Sequence, residues 1–292
     1  MLPLEMISRM HATTLALALM ILPGPAAAWR LMDVRPVSPP GEFFMAPSWS
    51  PGGNALAVTR QKYRGVLIAD LWTAGSPSPV TDEPGAGFGF VWSQDGGEIL
   101  FQRAPNAGSD TRGPRRLMRA TLGRRAFEDL GELRLPGISQ RIPPPDGPTA
   151  YVDAEERVWL LRNGVALLLS GQARGYYAPA VSPTGDRVLA HHRNGHLHVL
   201  RTDRAAPDDL GEGYAAVWSP DGAQVLFDVS RDDGHVITSS ELFIVSADGG
   251  VRERVTNTPD IHEMRPAWCR DGVRIAFDDP ASGRVFVGRL VP

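Results

Sequence analysis

One hairpin is written five times along this chain, and no other feature constrains its fold as tightly. It reads "PSWSPGGNALAVTR" from Pro47, "FVWSQDGGEILFQR" from Phe90, "PAVSPTGDRVLAHH" from Pro179, "AAVWSPDGAQVLFDV" from Ala215 and "RPAWCRDGVRIAFDD" from Arg265. Each copy holds a Trp or Val, a Gly-containing turn, and a strand of alternating apolar residues. With the Trp position as marker, copies fall at 49, 92, 181, 218 and 268, and a decayed one, "RIPPPDGPTAYV", puts Pro143 in the same place. The mean interval is about 44 residues, inside the range of propeller blades.

The best-preserved unit shows what one repeat contains. Trp218 ends a first strand, Pro220-Asp221-Gly222 turns, and Gln224 to Asp228 alternates as a second. Glu241 to Ser246 makes a third, Asp248-Gly249-Gly250 turns again, and Arg252 to Thr256 makes a fourth. Asp-Gly and Gly-Gly suit such tight turns because they tolerate positive φ. Four antiparallel strands per repeat make a blade, so the chain is expected to be all-β, a six-bladed β-propeller. The last blade lacks a fourth strand, and "WRLMDVRPV" from Trp29 is predicted to supply it, closing the ring and removing two sheet edges.

The 292 residues are 42% hydrophobic, enough for a well-buried core. A net charge of -3 provides no basic footprint, so no nucleic-acid partner is expected. Residues 1–28 read as a signal peptide: Arg9, an apolar run from Ala12 to Leu22, then "PGPAAA" as a breaker and cleavage site. Residues 29–292 then form one domain, with no membrane span once the signal is removed. The expected location is the periplasm of a Gram-negative bacterium, or beyond it. Cys269 is the only cysteine, so no internal disulfide forms. It replaces the Ser of "WSP" and reads as a small, half-buried thiol.

The stretch "ELFIVSADGGVRERVTNTPDIHEMRPAWCRDGVRIAFDD" resembles the repeat of TolB-like propellers, the WD40-like or PD40 repeats. The resemblance covers roughly residues 40 to 292, strong in four blades and weak around Asp146-Gly147. It implies the propeller fold and leaves function open. TolB carries an α/β domain ahead of its propeller; about a dozen residues separate the signal from the first blade here. The expectation is a stand-alone propeller. Propeller peptidases are disfavoured because no G-x-S-x-G turn is present.

In a propeller the first strands line the central channel. Four residues before the Trp position stand Met45, Phe88, Ser139, Tyr177, Tyr214 and Met264; three before it stand Ala46, Gly89, Gln140, Ala178, Ala215 and Arg265. One ring is mostly aromatic or Met and the next mostly small. Phe88, Tyr177, Tyr214 and Arg265, with Glu212, His262 and Glu263 just outside, are the candidate binding residues of the channel mouth. The alternative is that they pack between blades and plug it. Two loops, Ala104 to Arg115 and Ser230 to Ser240, are expected on the same face. The basic stretch "TRGPRRLMRATLGRR" reads as a solvated rim.

His191, His192, His196 and His198 bunch together. Neighbours on a strand point to opposite faces, so only His196 and His198 share one, which favours solvated positions over a metal site. No metal and no cofactor is therefore expected. Glu212, His262, Glu263 and Arg265 are the only catalytic constellation that assembles, and no carboxylates match them across the ring, which disfavours glycosidase chemistry. The expected function is a non-enzymatic binding or scaffold propeller that recognises a protein segment or envelope component. The alternatives are a polysaccharide- or sugar-active lyase or hydrolase with a glycan ligand, or a structural subunit of a larger complex.

Overall fold

The computed structural model describes residues 28–71, 76–103, 115–124, 126–132 and 147–292. Six antiparallel sheets follow one another as blades. Blade 1 comprises Phe44–Trp49, Ala55–Arg60, Arg64–Asp70 and Ser78–Thr81; blade 2 comprises Val91–Trp92, Glu98–Arg103, Arg116–Thr121 and Phe127–Glu132. Blade 3 shows Thr149–Val152, Val158–Arg162 and Val165–Leu168. Blade 4 comprises Tyr176–Val181, Arg187–His192, His196–Arg201 and Asp208–Glu212; blade 5 comprises Tyr214–Trp218, Gln224–Asp232, Ile237–Ser246 and Glu253–Arg254. Blade 6 joins Met264–Trp268, Arg274–Asp279 and Arg284–Val291 to the N-terminal strand Arg30–Pro36.

That last pairing closes the ring: Arg30 lies opposite Val291 and Pro36 opposite Phe286. Blades 6 and 1 are also clamped by Arg274, whose Nη1 donates to the Gly53 carbonyl at 2.6 Å while the guanidinium lies 5.0 Å from the Trp49 ring centre. The segments 1–27, 104–114 and 133–146 lie outside the described residues, and with them fall the signal reading, most of the first long loop, and Ser139, Gln140 and Pro143. Among the described residues no helix is long and apolar enough to cross a membrane.

The repeated sequence is explained by what its residues bond. In "WSPDG" the Ser219 hydroxyl accepts from the Gln224 N–H and donates to Asp221, whose carboxylate accepts from Ala223. Ser50, Ser93 and Ser182 accept the equivalent N–H of their own turns. Three of the indoles act between blades instead, while Trp268 donates to the Gly272 carbonyl of its own turn. Trp92 donates to the Ser48 carbonyl, Trp218 to Ala180 and Trp49 to Ala267, each on the first strand of the preceding or ring-closing blade. Apolar layers fill the spaces between blades: Leu189, Val199, Val225 and Phe227 between blades 4 and 5, for example, and Leu226, Ile244, Ile275 and Phe277 between 5 and 6. Fully burying each such side chain contributes about 1.5–3 kcal/mol.

Two expectations change. Ser230 to Ser240 is not a loop: the second and third strands of blade 5 stay paired out to Asp232 and Ile237, so the turn is only four residues. Asp233 caps it by accepting the His235 and Val236 N–H groups at 2.9 Å. Cys269 is fully buried rather than half-buried, and burial pushes its thiol upward, away from the reactive thiolate.

Candidate functional site

The channel is lined by a backbone feature that strand periodicity does not reveal. Ala46, Gly89, Ala178, Ala215 and Arg265 all have φ between 46° and 68°. Four of the five are not glycine, so the left-handed conformation recurs at the same point of five first strands. In blades 1, 4, 5 and 6 it breaks the pairing with the second strand as a bulge. The bulge frees backbone N–H groups that must find acceptors. Ala46 donates to Asp278 Oδ2 at 2.7 Å, and Arg265 donates to Asp228 Oδ1 at 3.0 Å. In blade 5 the donor is one residue on, Ala216, reaching His191 Nε2 at 3.5 Å.

Asp278, Asp228 and His191 sit opposite the residue four before the Trp position, as does Thr59 in blade 1. All four are buried, and Gln102 of blade 2 is buried at the matching point of "EILFQR". A ring of second-strand polar groups therefore lies beneath the mouth. Its signal was visible as the polar residue that closes "LAVT", "ILFQ", "VLAH", "VLFD" and "IAFD".

Arg265 is the centre of this arrangement. Its Nε donates to Asp278 Oδ2 at 2.8 Å and its Nη2 to Asp278 Oδ1. Burial pushes the Asp278 carboxyl up to about 6 against the pull of the guanidinium, and burial also raises Asp228. The cavity above has a volume of about 540 Å³. Tyr63, Phe88 and Phe90 line it with Arg265, Arg270 and the Trp49, Trp218 and Trp268 edges. Tyr63 was not singled out from the sequence; it meets Phe88 edge to face at 5.0 Å from a left-handed position after the second strand of blade 1.

The structure brings some of the expected residues together and separates others. Phe88 and Arg265 belong to the cavity wall. Tyr177 and Tyr214 are 43% and 39% exposed, each preceding a wall residue, Ala178 or Ala215. Tyr177 stacks on His191 at 5.2 Å. Glu212 is exposed, and its carbonyl accepts from Arg252. The His262 N–H donates to Asp279 at 3.3 Å. Glu263 is buried to 1% exposure: Thr258 donates to its Oε1, and its Oε2 has no hydrogen-bond partner among the described residues. Burial, with Glu241 and Asp279 nearby, pushes its carboxyl up to about 8.

One expectation is overturned. The sequence alone argues for a non-enzyme, because no convincing catalytic constellation assembles from it. His196, His198 and Asp209 form a cluster able to coordinate a metal ion, with ligand atoms that all lie within 4.8 Å of one another, which removes that ground. The two histidines share a face as expected, and the third ligand comes from the next strand.

No protein-family model matches the chain. A structure assigned to TolB from Agrobacterium tumefaciens superposes with a TM-score of 0.59 at 19% identity, covering 91% of this chain and 98% of that one. An oligogalacturonate lyase from Vibrio parahaemolyticus superposes with a TM-score of 0.52 at 9% identity, covering 90% and 97%. Among curated proteins, dipeptidyl-peptidase 5 of Porphyromonas gingivalis is 43% identical over 60 residues, 20% of this chain. The match spans only 9% of that protein's length. At these identities the likeness establishes the six-bladed propeller fold. That one fold carries both a TolB protein and a lyase is a second reason why the fold does not argue against catalysis.

Proposed function

We propose that the chain is an exported propeller that recognises a carboxylate-bearing segment of a protein partner at its channel mouth. The observation that carries this reading is the cavity lining: two guanidiniums, Arg270 and the Asp278-paired Arg265, with no Asp or Glu among the described lining residues. Arg265 is already paired with Asp278, so the attraction for anions falls mainly to the exposed Arg270 at the rim, with Arg265 free to share its remaining N–H donors. Tyr63, Phe88 and Phe90 add rigid apolar faces, and about 540 Å³ suits a few side chains of a segment rather than a folded domain. The bulged strands supply a preformed wall, so little ordering entropy is lost on binding. Export rests on the N-terminal signal pattern, with the periplasm or the exterior as the destination.

Fluorescence anisotropy with labelled acidic peptides, each beside a counterpart whose carboxylates are amides, tests the reading. The acidic peptides bind and the amides do not. Arg270→Ser, an exposed position that leaves the Asp278 pair intact, weakens binding about tenfold, the effect of one charge-assisted contact. Equal binding of amide and acid, or no effect of Arg270→Ser together with Phe88→Ala, sinks it. A second reading, a uronic-acid oligosaccharide in the same cavity, draws on the same guanidiniums and on the fold shared with an oligogalacturonate lyase. Oligogalacturonate that displaces the peptide, or that is itself cleaved, favours that reading.

A further inference from the structure

The third and fourth strands of blade 4 run antiparallel, His196 opposite Glu212 and Leu197 opposite Gly211; then the register slips and His198 lies opposite Asp209. Leu210 is the extra residue of a bulge, with Gly211 at φ 81°. Leu210 turns into the apolar layer shared with blade 5, and Asp209 comes to stand over the two histidines. The Gly211 N–H donates to Asp209 Oδ1 at 2.8 Å and fixes the carboxylate there.

Both carboxylate oxygens lie 3.0 Å from His196 Nδ1, and Oδ1 lies 3.9 Å from His198 Nε2. Ligands at zinc–nitrogen and zinc–oxygen distances on a tetrahedron stand about 3.3 Å apart, and the histidine–carboxylate spacings of 3.0 and 3.9 Å bracket that value. His198 is held for this task. Its Nδ1 is 3.1 Å from the Tyr176 hydroxyl, and its ring lies parallel to His192 at 5.2 Å. His192 is itself committed, with Nε2 on the Arg174 carbonyl at 2.8 Å and Nδ1 accepting the Asn194 N–H at 3.3 Å. Only Nε2 of His198 remains for a ligand, and a partner on the far nitrogen is the usual means of orienting a metal-bound imidazole. Burial holds His198 toward the neutral form, the one that coordinates. The other side is open: the side chains of His196 and Asp209 are 38% and 53% exposed.

We propose that blade 4 binds a zinc ion through His196 Nδ1, His198 Nε2 and one oxygen of Asp209, leaving a fourth coordination position open to solvent. Two imidazoles and a carboxylate are a donor set that suits zinc, whereas calcium and magnesium require mainly oxygen. On binding, the proton on His198 moves to Nδ1, which then donates to the Tyr176 oxygen. His196 likewise takes the tautomer that carries its proton on Nε2, leaving Nδ1 free to coordinate. Three protein ligands and an open position form a site that takes water or a partner's carboxylate as fourth ligand.

The test uses the full chain without an affinity tag, stripped with a chelator and titrated with zinc chloride by calorimetry. Cobalt, whose visible spectrum reports tetrahedral nitrogen–oxygen coordination, serves as the second probe. One equivalent of zinc binds. Asp209→Asn and His196→Gln, both side chains that reach solvent, lower the affinity at least tenfold each. Tyr176→Phe, which removes only the orienting contact, lowers it about tenfold, and His235→Gln, an exposed histidine elsewhere, leaves it unchanged. The proposal is overturned if the wild type takes up no zinc, or if the single equivalent survives in the His196→Gln, Asp209→Asn double variant. Failure here leaves the peptide reading standing, because the two sites share no residue.

Discussion

Two polar clusters at one end of this propeller are built by opposite means. Beneath the channel mouth, Arg265 keeps a quarter of its side chain exposed to the cavity, while Asp278 and Asp228 under it have no exposed surface. On blade 4, His196 and Asp209 face solvent and only His198 is sheltered. Both clusters begin as a bulge that turns a strand's polar side chains to a new direction. The dry cluster gains strong hydrogen bonds and carries a large desolvation cost, so its parts depend on one another. The wet cluster costs little, holds little, and keeps room for an added ligand. Rigidity and availability thus separate along the same blade ends.

The largest expected effect tests the dry side. Arg265→Leu strands Asp278 and Asp228 without a cation and should lower unfolding stability by about 3–5 kcal/mol, read by urea denaturation. The companion Arg265→Leu, Asp278→Leu variant should recover part of that loss, although Ala46 then loses its acceptor. If Arg265→Leu costs under about 1 kcal/mol, the mouth is wetter than its geometry indicates and the contrast collapses.

Glu263 sharpens the comparison through pH. Its folded carboxyl is raised from 4.5 to about 8. Between those values the folded state holds a proton that the unfolded state has released, so stability is greatest below about pH 4.5 from this group and falls as pH rises to about 8. Glu263→Gln keeps the Thr258 contact and removes the titration. The variant should therefore gain up to a few kcal/mol over the wild type at pH 8, and the difference should shrink toward pH 5. Parallel stability–pH curves for the two proteins would contradict the assignment.

The contrast also explains what could be read from the chain. Turn residues act through local chemistry and most indoles through a bond to the neighbouring blade, both repeated along the chain, so "WSPDG" spelled out the hairpins, their spacing and the need for Trp29 to Val37 at the closure. The candidate site was legible only in part. Alternation assumes an unbroken register, and the left-handed residue three before the Trp position breaks it, as the extra residue Leu210 breaks the last strand pair of blade 4. Arg265 and Phe88 were reachable by counting along one strand. Asp278, Asp228 and Asp209 come from partner strands, and Tyr63 comes from a short turn, so pairing had to be known first. Glu263 looked like a rim charge because it follows His262 just outside the ring of channel residues. Its burial follows from Ser240, which donates to its carbonyl at 2.7 Å and ties it beneath blade 5.

The smallest expected effect bears on the wet side. In chelator, Asp209→Asn should change unfolding stability by less than about 1 kcal/mol, because the His196 pair is exposed and screened. With zinc present the wild type alone should gain stability, by an amount that grows with the logarithm of free zinc, since an ion bound only by the folded state shifts unfolding by mass action. A carboxylate that mattered chiefly for the fold would produce the reverse: a large loss in chelator and no zinc-dependent gap. The ratio of these two numbers, small without the ion and growing with it, distinguishes a residue kept for a ligand from one kept for packing, and Arg265→Leu should fall at the other extreme.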